Sequence, residues 1–134
     1  MKIRAGFVSN SSSSSFVIQG IEIPFDEFAD YLNENSEKKI IEAAAGNKMI
    51  FKSGKKAFDY LIEDYIAEYE IEKALDIDAV VDYENECIII GKHFQEMGWD
   101  ETRREFIKRT DKKLKKLLTC DVNTVLINGE VFTG

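Results

Sequence analysis

Three consecutive isoleucines, Ile88-Ile89-Ile90, constrain this chain more than any other feature. Successive side chains of a strand point to opposite faces, so an unbroken β-branched run needs apolar cover on both sides and predicts a central strand. Glu84-Asn85-Glu86 precedes it as a turn, and Ala79 to Tyr83 precedes the turn as an apolar partner, which together predict a hairpin. The cover must come from elsewhere in the chain. Helical spacing supplies it twice. Phe58, Leu61, Ile62, Tyr65, Ile66 and Tyr69 recur on one face of a helix, and Phe106, Ile107, Thr110, Leu114, Leu117 and Leu118 do the same further on. Both stripes are expected to pack on the sheet that holds Ile88 to Ile90.

The remaining elements fit around this nucleus. Phe16 to Ile23 alternates as a strand, with Gly20 read as a bulge, and Pro24 stops it. Phe25, Phe28, Ala29 and Leu32 take helical spacing, Asn33 to Ser36 interrupt it, and Ile40, Ile41, Ala44 and Ala45 resume it as far as Gly46. Met49-Ile50-Phe51 reads as a short strand. Ser53 is placed to cap the helix of the Phe58 stripe, and Asp100 to cap that of the Phe106 stripe. The latter helix carries Glu101 in its first turn and Lys112, Lys113, Lys115 and Lys116 in its last, in keeping with the helix dipole. Asn128-Gly129 between Val125-Leu126-Ile127 and Glu130-Val131-Phe132 predicts a closing hairpin. Strands and helices mix without a regular βαβ rhythm, so the fold class is α+β: a small antiparallel or mixed sheet packed by two to four amphipathic helices. At 134 residues a single domain over 1–134 is expected, with 1–15 as a serine-rich loop or tail.

Composition narrows the function classes. With 44% hydrophobic and 32% charged residues, one proline and no run of eighteen apolar residues, the chain is neither disordered nor membrane-spanning. A basic start followed by hydroxyls rather than an apolar core is unlike a secretory signal. Cys87 and Cys120 form no CxxC pair and no disulfide framework. Both observations predict a cytoplasmic protein. A net charge of -7 opposes general attraction to nucleic acid or to anionic membrane. Against that background, Asp100 to Leu118 holds eight basic and four acidic residues, while the rest holds ten and twenty-one. Arg103, Arg104, Lys108 and Arg109 on this helix form the candidate contact for a polyanion, or pair with the chain's own acidic stretch Asp59 to Glu70. That acidic stretch reads as a solvated helix face.

The serine run, Ser11 to Ser15, is the most unusual segment, bracketed by Gly6-Phe7-Val8 and Phe16-Val17-Ile18. Too few residues precede it for an interdomain linker. Arg4, Ser9, Asn10 and Ser11, Ser12, Ser13, Ser14 and Ser15 are the candidate binding or modification site, since adjacent hydroxyls and backbone N–H groups suit a small anion and the hydroxyls can accept phosphate. The segment from Met1 to Phe16, with its basic residues, Gly-Phe-Val-Ser-Asn step, serines and Phe, resembles the N-terminus of a group of small uncharacterised proteins of bacteriophages and bacteria. Ile90-Gly91, Met97, Asp100-Glu101-Thr102 and Glu105-Phe106-Ile107-Lys108 resemble a looser C-terminal pattern in the same group. The resemblance implies a phage or mobile-element setting.

No residue set announces catalysis. His93 is the one histidine and lies six residues from Cys87, which is expected to be a buried structural thiol rather than a nucleophile. Asp76, Asp78, Asp82, Glu84 and Glu86 are rich in oxygen donors, but Val80 and Val81 stand where a calcium loop needs an oxygen ligand and a glycine. They read as an acidic hairpin rim, and no metal, cofactor or nucleotide loop is expected. The expected function is that of a small non-enzymatic accessory protein that engages a protein partner. The alternatives are an enzyme or modification substrate working through the serine segment, and nucleic-acid contact through the basic helix.

Overall fold

The computed structural model describes residues 13–46 and 50–132. Its elements run β1 (Ser13–Pro24), α1 (Phe25–Tyr31), α2 (Glu34–Ala45), α3 (Gly54–Glu63), α4 (Ala67–Leu75), β2 (Asp78–Asp82), β3 (Cys87–His93), a 3-10 turn (Phe94–Glu96), α5 (Arg103–Lys115) and β4 (Val125–Phe132). The four strands form one sheet in the order β2-β3-β1-β4, with every neighbouring pair antiparallel. This is an α+β fold with a small antiparallel sheet.

The isoleucine triplet sits where its composition requires. In β3, Ile88 and Ile90 join the main core with Ile23, Phe28, Ile40, Phe58, Leu61, Ile71 and Leu114, while Ile89 turns to the other face and joins Ile18 and Val80, with Phe16 and Ile127 against them. Strand alternation thus divides one apolar run between two clusters. Gly20 is no bulge: it pairs in unbroken register with Gly91 on one side and Val125 on the other. A Cβ at Gly20 would fall 2.1 Å from the Ile90 carbonyl oxygen, and one at Gly91 would fall 2.0 Å from that of Gln19. Glycine is needed there because the backbones of β1 and β3 approach too closely for a side chain.

Two helices and one strand correct the sequence reading. The Phe58 stripe is two helices rather than one: α3 ends at Glu63, Tyr65 takes a left-handed φ of 57°, and α4 starts at Ala67. A single helix from Gly54 to Leu75 would be about 33 Å long, twice the length of a five-residue strand. The break folds it back, so that Ala67, Ile71 and Leu75 are buried and Tyr65 and Tyr69 face solvent. Helix α5 is capped by Thr102 rather than Asp100. Thr102 Oγ1 accepts from Glu105 N at 3.1 Å and Glu105 Oε1 accepts from Thr102 N at 2.9 Å, a reciprocal pair that satisfies two orphan donors. The serine run enters the fold earlier than Phe16, since Ser13, Ser14 and Ser15 pair with Phe132, Val131 and Glu130.

Two strand readings also change. The Asn128-Gly129 hairpin does not form, because β4 is one strand in which Asn128 and Gly129 pair with Val17 and Phe16. The twelve-residue β1 offers a ladder longer than two three-residue arms could offer each other, and the Phe16 ring lies 3.5 Å from where a Gly129 Cβ would be. Of Met49-Ile50-Phe51, Met49 lies outside the described residues, Ile50 is exposed and in no strand, and the Phe51 ring packs 5.2 Å from that of Tyr60. The other expectations match in kind: α1 and α2 are separate, Ser53 caps α3 by accepting from Lys56 N, and Glu84 to Glu86 turn the chain between β2 and β3.

Candidate functional site

The two edges of the sheet are built differently. At the β2 edge, helix α4 runs alongside the strand. Glu72 Oε2 accepts from Ala79 N at 2.9 Å, and Glu68 Oε1 accepts from Val81 N at 3.1 Å. The match is geometric. Four residues of helix advance about 6 Å and two residues of strand about 6.6 Å, so carboxylates at i and i+4 meet every second N–H of an edge strand. Glu68, read from sequence as part of a solvated face, therefore closes a strand edge instead. Burial raises its pKa above the usual carboxylate value and the Glu72 charge adds to this, while the Val81 N–H opposes it.

The same edge gathers further polar groups. Asp78, at the start of β2, accepts from His93 N at 2.8 Å through Oδ2. Burial works against the charge on Asp78, but hydrogen bonds from Glu96 and from the His93 N–H outweigh it and hold the carboxyl below its ordinary pKa. Glu96 is raised in turn, chiefly by its hydrogen bond to Asp78 and then by burial. Lys92 lies 3.7 Å from Glu96. The imidazole of His93 completes the group: one donor atom each from Glu72, Asp78 and His93 lie within 4.8 Å of one another, the one such three-residue set among the described residues.

The sequence singled out Asp78 and His93 but with other partners. Asp76 pairs with Lys113 at 3.3 Å, and Asp82 accepts from Asn85 N and Nδ2 to hold the hairpin turn, so neither joins Asp78. His93 and Cys87 stand at opposite ends of β3, about 20 Å apart at strand rise, which excludes a dyad. Cys87 is buried and its thiol pKa is pushed up to about 12, first by burial and then by its hydrogen bond to Glu22. Glu72 and Glu96 were missed because they converge only through tertiary contact. The i, i+4 pair Glu68 and Glu72 ahead of a strand was the legible signal.

At the opposite edge, β4 carries no such closure among the described residues. Val125 is 58% exposed, Leu126 38% and, on β1 across from Asn128, Val17 43%. Of the polyanion candidates, Arg109 is committed to Glu101 through two bonds of 2.9 Å, whereas Arg103, Arg104 and Lys108 are exposed and form no ion pair among the described residues. The ion pairs of α5 run to Glu101, Asp76 and Asp121, not to the stretch 59–70. Arg4, Ser9, Asn10, Ser11 and Ser12 lie outside the described residues, and Ser13 to Ser15 belong to β1. No described helix is long and apolar enough to cross a membrane. Compared with protein-family models, curated proteins and solved structures, the chain has no match.

Proposed function

We propose that this chain is a small non-enzymatic accessory protein that captures a protein partner by adding an extended segment of that partner to the outer edge of β4. The observation that supports this reading is the asymmetry of the sheet. A free strand edge invites pairing with other chains, and proteins usually blunt it. Here the β2 edge is closed by Glu68 and Glu72, while among the described residues the β4 edge is left open beside exposed Val125 and Leu126. Strand addition draws affinity from main-chain hydrogen bonds and specificity from alternate side chains, which suits a sheet that presents one long edge. The N-terminal resemblance supports a phage or mobile-element setting, acting in the host cytoplasm.

A second reading keeps the serine segment as a recognition or modification site, with Arg4, Ser9, Asn10 and Ser11 to Ser15 as its residues. Continuity supports it: Ser13 to Ser15 pair with Glu130 to Phe132, so the run leads into the strand next to the open edge. A phosphate there would bring about -1.5 to -2 charge to the same end of the sheet and oppose an acidic partner segment.

The test is selection of binders from a displayed library of extended segments, followed by amide hydrogen exchange on the complex. The expected result is new protection of β4 amides and loss of binding in Val125→Lys/Leu126→Lys with an unchanged circular dichroism spectrum. Binders that protect helical amides instead, or that hold the double variant equally well, would remove the edge from the proposal.

A further inference from the structure

We propose that Glu72, Asp78 and His93 form a binding site for one divalent first-row transition-metal ion, of which zinc is the working probe. The three side chains come from three elements, α4, β2 and β3, and their donor atoms already lie within 4.8 Å of one another. Ligands about 2.0–2.2 Å from a zinc ion sit a little over 3 Å apart, so closure asks for side-chain shifts of about 1 Å.

The site is held in place before any ion arrives. Glu72 Oε2 accepts from Ala79 N and Asp78 Oδ2 accepts from His93 N, which anchors both carboxylates to the backbone. Charge points the same way. Glu68, Glu72 and Asp78 bring three carboxyl groups to the β2 edge, while Lys92 is paired with Glu96 at 3.7 Å. A bound cation would offset that excess.

The donor set selects the ion. The imidazole is what discriminates, because magnesium and calcium take oxygen ligands, while a nitrogen ligand favours zinc and its neighbours. Three protein ligands leave coordination positions for water. The physical consequence is a clip: the ion would bind helix α4 to the sheet edge that Glu68 and Glu72 already close, and would stabilise the folded chain by mass action.

The experiment uses the full chain, stripped with EDTA and titrated with zinc chloride by calorimetry, and with cobalt(II) chloride by absorption. The expected result is one zinc per chain, a melting temperature that rises with zinc concentration, and no competition from equal magnesium. Affinity should fall at least about tenfold in Glu72→Gln, which keeps the acceptor for Ala79 N, and in His93→Gln, since even outer-shell changes cost that much. The cobalt spectrum of the unmodified chain should show ligand-field bands without a thiolate charge-transfer band, which separates this site from Cys87 and Cys120 and does not depend on any variant folding. No zinc uptake, uptake undiminished in His93→Gln, equal competition by magnesium, or a thiolate band would each overturn the assignment.

Discussion

Replacing Phe58 with Ala, and separately Tyr69 with Ala, tests the break between α3 and α4. By spacing alone both rings lie on one stripe of one helix and should be buried alike. In the structure Phe58 is 0% exposed, with ring centroids 4.6 Å from Phe28 and 5.9 Å from Phe25, whereas Tyr69 lies beyond the left-handed Tyr65 and is 64% exposed. Truncating a fully buried Phe loses its transfer energy and leaves a cavity, about 3–5 kcal/mol together. With a urea slope of about 2 kcal/mol/M for a chain of this size, the midpoint should drop by about 2 M. Tyr69→Ala removes an exposed ring and should stay within about 0.5 kcal/mol. Equilibrium urea melts followed by far-UV circular dichroism give both numbers. Equal losses at the two positions would refute the break and restore a continuous helix, and no loss at Phe58 would refute the packing of α3 in the core.

Gly91→Ala should destabilise by at least about 3 kcal/mol, because its Cβ would meet the Gln19 carbonyl oxygen at 2.0 Å and the backbone cannot retreat; a melt within about 1 kcal/mol of the parent would show that β1 and β3 are further apart. Iodoacetamide at about pH 8 should modify exposed Cys120 and spare buried Cys87, whose thiol at about 12 is ionised in about one molecule in 10⁴, until denaturant is added; intact mass reads the count. Glu101 should titrate at about 2, below its usual 4.5, because Arg109 and the Gly98 N–H hydrogen-bond its carboxylate. Since the folded pKa is the lower one, the pair's contribution is complete above about pH 4.5 and is lost as the pH falls towards 2. Carbon-detected NMR follows that carboxyl directly, and Arg109→Gln should return it towards its ordinary value.

Ile88-Ile89-Ile90, the Glu84 to Glu86 turn, Pro24 as a strand stop and the Ser53 cap were legible in the sequence because each depends on forces between near neighbours: side-chain alternation, turn chemistry and one hydrogen bond across a helix start. The α+β class followed from the same local signals. Where the sequence misled, a distant segment had decided. Asn128-Gly129 has the chemistry of a tight turn, yet Val17 and Phe16, more than a hundred residues earlier, offer it a ladder and a covering ring. Gly20 looks like a bulge until Gly91 is set across from it. The Phe58 to Tyr69 spacing describes one helix face, and only the extent of the sheet beneath requires it to fold back at Tyr65. The candidate metal ligands belong to this second kind. Periodicity assigns Glu72 to a helix, Asp78 to a strand start and His93 to a strand end, but the packing of α4 along the β2 edge is what brings the three together. Local chemistry determined which elements form; the long-range pairing of β1 with both β3 and β4, and the docking of α4 on β2, decided which side chains meet.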